Sequence, residues 1–504
     1  MVAMAYTVAF EGVEARPVEV QCAVTAGLPA FAIVGLPDKA VSEARERVRA
    51  AMSALSIALP SKRITVNMSP ADLPKEGSHF DLPIALSLLA ALDMIPKDEV
   101  AKTVALGELS LNGDLVGVIG ALPAAMAAGD GERRLLCPKA SGAEAAWVGS
   151  TEVIAARTLG EVLRHFSGQS PLAPAGPGEV LAPGNTRDMA EVKGQERAKR
   201  AIEIAAAGRH HLLMVGAPGS GKSMLAARIP SILPQLSARE ALETSMIHSL
   251  AGLLDEGGIS RARPFREPHH TASMAAIVGG GRGAKPGEIS LAHNGVLFLD
   301  EFPEFPRAVL ETLRQPIETG SIMVARANAH VRYPSRFMLV AAANPCRCGG
   351  SGEPGFVCKR GPACAEDYMG RISAPLMDRI DLRVEVPPVA FADLDLPACG
   401  DRSETIAARV ARARDVQARR YAEVPAARVN ADIEGALLEE VAAPSTEGLA
   451  LLRKAAEKFG LSARGYHRVM RVARTIADLE GADGVERHHI GEALSYRLTM
   501  ARAG

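Results

Sequence analysis

Residues 212–230 read LLMVGAPGSGKSMLAARIP, an apolar run leading into a glycine-rich loop and out into a helical pattern. Gly216, Gly221, Lys222 and Ser223 fall on the phosphate-loop spacing of Gly, four residues, Gly, Lys and Ser/Thr. In such a loop the backbone N–H groups of Gly216, Ala217, Gly219, Ser220 and Gly221 curl around phosphate oxygens, Pro218, which has no N–H, sits within the turn, and the following helix adds the positive end of its dipole. Lys222 is expected to reach the β- and γ-phosphates and the Ser223 hydroxyl to ligate Mg²⁺. A chance glycine-rich turn is the competing reading, and strand, loop and helix in this order argue against it.

Two apolar strands downstream supply the rest of a hydrolytic site. GVLFLDEF (residues 295–302) ends in two carboxylates. Asp300 is placed to complete the Mg²⁺ shell through water and Glu301 to orient and deprotonate the attacking water. FMLVAAANP ends at Asn344, a polar side chain suited to hold that water or sense the γ-phosphate. Taken alone, an Asp-Glu strand end or an Asn before Pro345 is mostly structural. From Asp188 to about Pro387 strand and helix signals alternate as in a doubly wound parallel sheet.

Outward from this core, SGQSPLAPAGPGEVLAPGN keeps no helical or strand period and reads as a linker. The spacing predicts an α+β domain over 1–166, a linker over 167–187, the nucleotide-binding core over 188–390 and a helical domain over 400–504. In the first, Asp38–Met52 and Leu82–Leu92 read as helices, and Asn112-Gly113 as the turn of a hairpin within TVALGELSLNGDLVGV. The 504 residues carry 57 Lys+Arg against 58 Asp+Glu, which excludes a chain that is basic all over but not a local basic channel. With 12 Phe, 6 Tyr and one Trp there is little material for base stacking, so a nucleic-acid partner would be held by its phosphates. No leader pattern and no apolar run of membrane-spanning length is evident, which predicts a cytoplasmic protein without a membrane partner.

GAPGSGKS, FREPHHTASMAAIVGGG, GEISLAHNGVLFLDEFPEF, ETLRQPIETG, ANPCRCG, RISAPLMDRIDL and SARGYHRVMRVARTIADLEG, in that order, resemble the ComM (YifB) family of magnesium-chelatase-like AAA+ ATPases. The resemblance covers nearly the whole chain. It implies a homo-hexameric ATPase that moves branched or single-stranded DNA during recombination or natural transformation, with recombination proteins as possible partners. It also implies that Arg379 reaches the γ-phosphate of a neighbouring subunit, with Arg371 a weaker second, because a guanidinium stays charged and grips phosphate oxygens in a fork. Local pairing of Arg379 with Asp378 or Asp381 is the alternative. Arg464 matches the lid's sensor arginine, with Arg468 one turn on as its competitor, and Gln195 matches the segment beside adenine. Residues 265–288 match an insertion in the second helix and residues 321–337 a hairpin before the sensor strand. Both insertions would face a pore, making Arg326, Arg332, His269, His270, Arg282 and Lys285 candidates for gripping DNA.

Four of seven cysteines, Cys346, Cys348, Cys358 and Cys364, crowd one glycine-rich segment. Four thiolates there suit a closed structural Zn²⁺ site, although the spacing departs from paired Cys-x-x-Cys. The amino-terminal domain resembles the α+β domain of Lon proteases, but His79 falls where the nucleophile belongs and Ser78 is one residue off, which implies an inactive, binding or ring-assembly module. Two other functions stay open on the sequence: a magnesium-chelatase motor subunit driving metal into a porphyrin, and an ATP-dependent protease or regulator.

Overall fold

The computed structural model describes residues 2–181, 187–254, 258–281, 284–325, 330–348, 358, 362–389 and 400–498. Its amino-terminal part is one seven-stranded sheet built from β1 (Val2–Glu11), β2 (Glu14–Thr25), β3 (Ala30–Val34), β4 (Arg63–Ser69), β5 (Thr103–Ala105), β6 (Arg134–Pro138) and β7 (Val153–Ala156). The order is β3-β4-β2-β1-β5-β6-β7. The β1–β2 and β2–β4 pairs are antiparallel and the rest parallel.

Helix α1 (Lys39–Ala54) starts where Asp38 accepts the Val41 N–H at 2.8 Å, a side-chain cap at the start of the stretch read as a helix. Helix α2 (Asp81–Ala91) is buried along its whole length against the sheet. Its first residue, Asp81, is fully buried and is matched by Arg47 at 2.6 Å. The expected hairpin forms with Asn112-Gly113 in its connecting loop, although its strands are only two residues each. Thr103–Ala105 joins the main sheet, Glu108–Leu109 pairs with Leu115–Val116, and the Ser110 N–H bonds Asp114 O at 3.0 Å across a wider loop. Part of the linker is also structured: Val180–Leu181 pairs in parallel with Ile259–Ser260.

The core sheet comprises β8 (Leu212–Val215), β9 (Phe265–Arg266), β10 (Val296–Leu299), β13 (Met338–Ala343) and β14 (Leu382–Glu385), all parallel in the order β9-β10-β13-β8-β14. Between β10 and β13 lies the antiparallel pair β11 (Ser321–Ala325) and β12 (His330–Pro334), the hairpin read from its alternation. Strands β8, β10 and β13 are buried at every residue, which explains why they read as unbroken apolar runs rather than alternating ones.

Four long helices, Ser403–Arg420, Thr446–Phe459, Ala463–Glu480 and Arg487–Leu498, form the carboxyl-terminal part. They share one apolar cluster with helix Glu196–Gly208 and strands β8 and β14. Arg468 meets Asp381 at 2.5 Å, and Asp381 also accepts the His211 N–H at 2.9 Å. Those two residues precede β14 and β8, so the helical part seats against the amino-terminal ends of the core strands. No helix among the described residues is long and apolar enough to cross a membrane.

Candidate active site

The carboxyl ends of three adjacent parallel strands deliver the candidate residues to one place, as open α/β sheets do with their ligands. After β8 the chain passes so close to β14 that a Cβ on Gly216 would lie 2.2 Å from Val386 O. Gly221 adopts φ +94°, which side-chain-bearing residues rarely tolerate, and from there the helix beginning at Lys222 departs. Lys222 is nearly buried. Its ammonium donates to Gly216 O at 2.7 Å and Ala217 O at 2.8 Å, and lies 3.3 Å from Asn344 Oδ1 at the end of β13. Burial lowers its pKa, an effect that Asp300 opposes.

At the end of β10 the Ser223 hydroxyl donates to Asp300 Oδ2 at 2.6 Å, and Asp300 Oδ1 accepts the Glu301 N–H at 2.8 Å. Glu301 itself has φ +50°, a left-handed conformation that costs a non-glycine residue about 1–3 kcal/mol. The Ser223 and Asp300 oxygens are the hard donors that Mg²⁺ takes. Gln195 leans on the same loop through Ser220 O at 3.4 Å and Pro387 O, and its Oε1 is a buried acceptor without a partner, as is the Ser220 hydroxyl oxygen. These orphaned atoms fit a nucleotide's amino and phosphate groups.

The two arginines expected to act on phosphate are elsewhere. Arg379 is 4% exposed, donates to Pro375 O at 2.6 Å and pairs with Glu318. Arg464 reaches the same Glu318 carboxylate at 3.1 Å. Neither local carboxylate holds Arg379: Asp378 pairs with Arg497 and accepts from Ser462 at 3.1 Å, and Asp381 takes Arg468. Arg371 pairs with Glu304 at 2.7 Å. Glu318 and Arg464 line a cleft of about 690 Å³ with Arg209, His211, Phe337 and Asp381, at the amino-terminal ends of β8, β13 and β14. Lys222, Asp300 and Asn344 stand at the opposite ends of the same sheet.

The family models described as magnesium chelatase subunit ChlI match residues 188–394, as subunit ChlI of Mg-chelatase residues 18–141, and as its ChlI carboxyl-terminal part residues 400–497. The chain is 44% identical to Competence protein ComM of Haemophilus influenzae across 99% of this chain and 98% of that protein. It belongs to the ComM/YifB family. YifB of Escherichia coli is 41% identical over 98% of this chain and 96% of its own length. The magnesium-chelatase 38 kDa subunit of Rhodobacter capsulatus is 28% identical over 61% of this chain and 86% of its length.

In this ComM/YifB chain the insertion residues divide. Arg282 and Arg326 lie outside the described residues. Arg332 is exposed on β12 and donates to Ser321 Oγ at 3.0 Å, and Lys285 is exposed on a two-residue strand. His269 bonds Thr271 at 2.7 Å, whereas His270 Nδ1 lies 3.2 Å from Glu301 Oε2, inside the candidate active site. Glu267 also belongs here, its pKa raised by burial and by Asp300. Neither Glu267 nor Glu318 was singled out from the sequence; the pairing of β9 with β10 brings Glu267 here, and no sequence signal marks either residue.

The four clustered cysteine sulfurs lie within 4.8 Å of one another, Cys346 and Cys364 buried. Thiolates about 2.3 Å from a tetrahedral zinc stand roughly 3.8 Å apart, so the donor set fits that ion. In the amino-terminal domain Ser78 pairs with Glu108, Lys75 Nζ donates to Pro70 O, and buried His79 lies 2.9 Å from Val8 O. Ser78 and Lys75 thus each hold other partners, and no nucleophile–base pair forms between them.

Proposed function

We propose that this protein is an ATP-hydrolysing, Mg²⁺-dependent ring motor that moves branched or single-stranded DNA. The observation that carries the reading is the convergence of Lys222, Ser223, Asp300, Glu301 and Asn344 on one end of the sheet. Lys222 and the loop bind the phosphates, Ser223 and Asp300 hold Mg²⁺, Glu301 activates water and Gln195 meets the adenine. Arg379, joined by Arg464, completes the neighbour's site in a homo-hexamer. DNA as substrate is supported by the full-length likeness to a protein named for competence. The four cysteines hold a structural Zn²⁺ that braces the segment after Asn344, and the amino-terminal domain is a non-peptidase binding or assembly module in the cytoplasm.

A magnesium-chelatase motor is the second reading, supported by the ChlI family models. The relative of that name, however, matches only 61% of this chain. ATP turnover measured with and without four-way or forked DNA, alongside strand displacement, separates the two. The motor reading expects stimulation by DNA and strand movement; stimulation by a chelatase partner subunit with no response to DNA would overturn it.

A further inference from the structure

A cleft of about 810 Å³ opens where the amino-terminal domain meets both insertions of the core, and it shares no residue with the candidate active site. On one side stand the β1–β2 turn, the start of α1 and the loop before α2. On the other stand Leu250, residues 284–286 of the first insertion, and Val331 and Tyr333 of β12. The two sides are joined. Gly12 has φ +64°, and a Cβ there would lie 2.6 Å from Val331 Cγ1, so the β1–β2 turn presses on the hairpin through a glycine. Tyr333 donates to Ala284 O at 2.8 Å, which ties the hairpin to the first insertion.

Phe10, Leu73, Pro74, Val118 and Pro286 make much of the lining apolar. His79 adds a ring rather than a charge: it packs 5.3 Å from Phe10 with a ring nitrogen 2.9 Å from Val8 O, and burial lowers its pKa to about 4. Ile119 is 45% exposed, and Glu76, Gly117 and Lys285 of the same lining are exposed too. Small-molecule pockets enclose most of their ligand, whereas a lining with this much exposure suits a length of chain lying along it. Charge in the lining is one-sided: the carboxylates of Glu11, Asp38 and Glu76 stand against the ammonium of Lys285. Glu11 is matched by Arg16 at 3.3 Å, and Asp38 caps α1. Such a wall repels a phosphate backbone and accepts a cationic side chain set among apolar ones.

We propose that the cleft is the docking site of a partner protein, which lays in it an extended segment with a lysine or arginine among apolar residues. The cation faces Asp38 and Glu76, and the apolar side chains cover Phe10, Ile119 and Pro286. The occupant touches the amino-terminal domain and both insertions together, so a partner gains a route to the insertions that leaves the nucleotide site untouched. Docking here requires neither ATP hydrolysis nor ring assembly.

The test titrates full-length protein, without nucleotide, into a fluorescein-labelled octapeptide of alternating valine and lysine and reads anisotropy. The same peptide with glutamate for lysine and a labelled oligothymidylate are titrated separately. The variants are Glu76→Lys and Ile119→Ser in the cleft and Glu457→Lys outside it; all three side chains are exposed, and an unchanged thermal midpoint shows that the variants are folded. The lysine peptide should bind the parent saturably and the glutamate peptide should not. Glu76→Lys should weaken binding about tenfold, the scale of turning one half-exposed attraction into a repulsion, Ile119→Ser should weaken it several-fold, and Glu457→Lys should match the parent. A lysine peptide that does not bind saturably, or that binds Glu76→Lys as tightly as the parent, overturns the proposal. If Glu76→Lys changes affinity for oligothymidylate but not for the peptide, the cleft is a nucleic-acid surface and the proposal falls. Peptide binding that disappears as the protein self-associates makes a second copy of this chain the occupant and overturns it equally.

Discussion

Glu301 and glutamine differ by one negative charge and almost nothing in shape, so Glu301→Gln isolates the loss of a general base. The substitution should leave ATP affinity within a few-fold of the parent and cut turnover by about 10²–10⁴, the usual worth of a positioned base. Single-turnover hydrolysis beside equilibrium nucleotide binding checks this, and retained turnover would remove Glu301 from its assigned place. Lys222, Ser223, Asp300 and Asn344 were legible because each ends or follows an apolar strand, and a strand end fixes where a side chain projects. Glu267 and Glu318 were not: their positions depend on a two-residue strand and on the seating of the helical part, and neither leaves a periodic trace. His270 was read as a pore residue, and its contact with Glu301 follows from strand register rather than from any local motif.

Single elements carry two further expectations. The Asp38–Met52 helix could be read from its amphipathic period, and Asn112-Gly113 marked the hairpin loop, but the pair of residues did not show that Thr103–Ala105 joins the main sheet or that the loop runs from residue 110 to 114. His79, packed beside Phe10 and Phe80, has its pKa lowered to about 4 by burial, against which the Val8 carbonyl pulls upward. His211 is lowered to about 4 for the same reason, with Asp381 opposing. An unfolded histidine titrates near 6.5, so between about pH 6.5 and 4 the unfolded chain binds the extra protons and stability falls as pH drops. The thermal midpoint of the full chain should decline through that window and His79→Phe should flatten the decline; an identical acid limb in the variant would show that His79 does not contribute. For the cysteine loop, metal analysis should find close to one zinc per chain, lost in Cys346→Ser. Nucleotide binding should survive that loss, because the phosphate loop precedes the cluster and does not depend on it. Zinc well below one per chain in the parent would exclude the site.

The whole molecule places its two arginines where one chain cannot use them on its own nucleotide. Arg379 and Arg464 share Glu318 beside the amino-terminal ends of the core strands, and a four-residue strand such as β8 alone spans about 13 Å. Arg464 and Arg468 thus meet the end of the sheet opposite their own phosphate loop, whereas helix Ser403–Arg420 packs beside the segment that follows that loop, with Ser403 2.7 Å from Ser231. In the proposed ring, a head-to-tail arrangement would supply what both cations lack on their own chain, each interface joining one subunit's Lys222 to the next subunit's Arg379 and Arg464. Such a ring also repeats the insertion cations around one axis, which is how a chain of formal net charge −1 would grip phosphates without a basic exterior. Arg379→Ala and Lys222→Ala should each be inactive alone. Mixed one to one, they rebuild intact sites wherever an Arg379→Ala subunit presents its loop to a Lys222→Ala neighbour, at roughly a quarter of randomly paired interfaces in a head-to-tail ring. Turnover in the mixture should therefore rise well above either parent variant, and a mixture as inactive as its components would place Arg379 outside the neighbour's site.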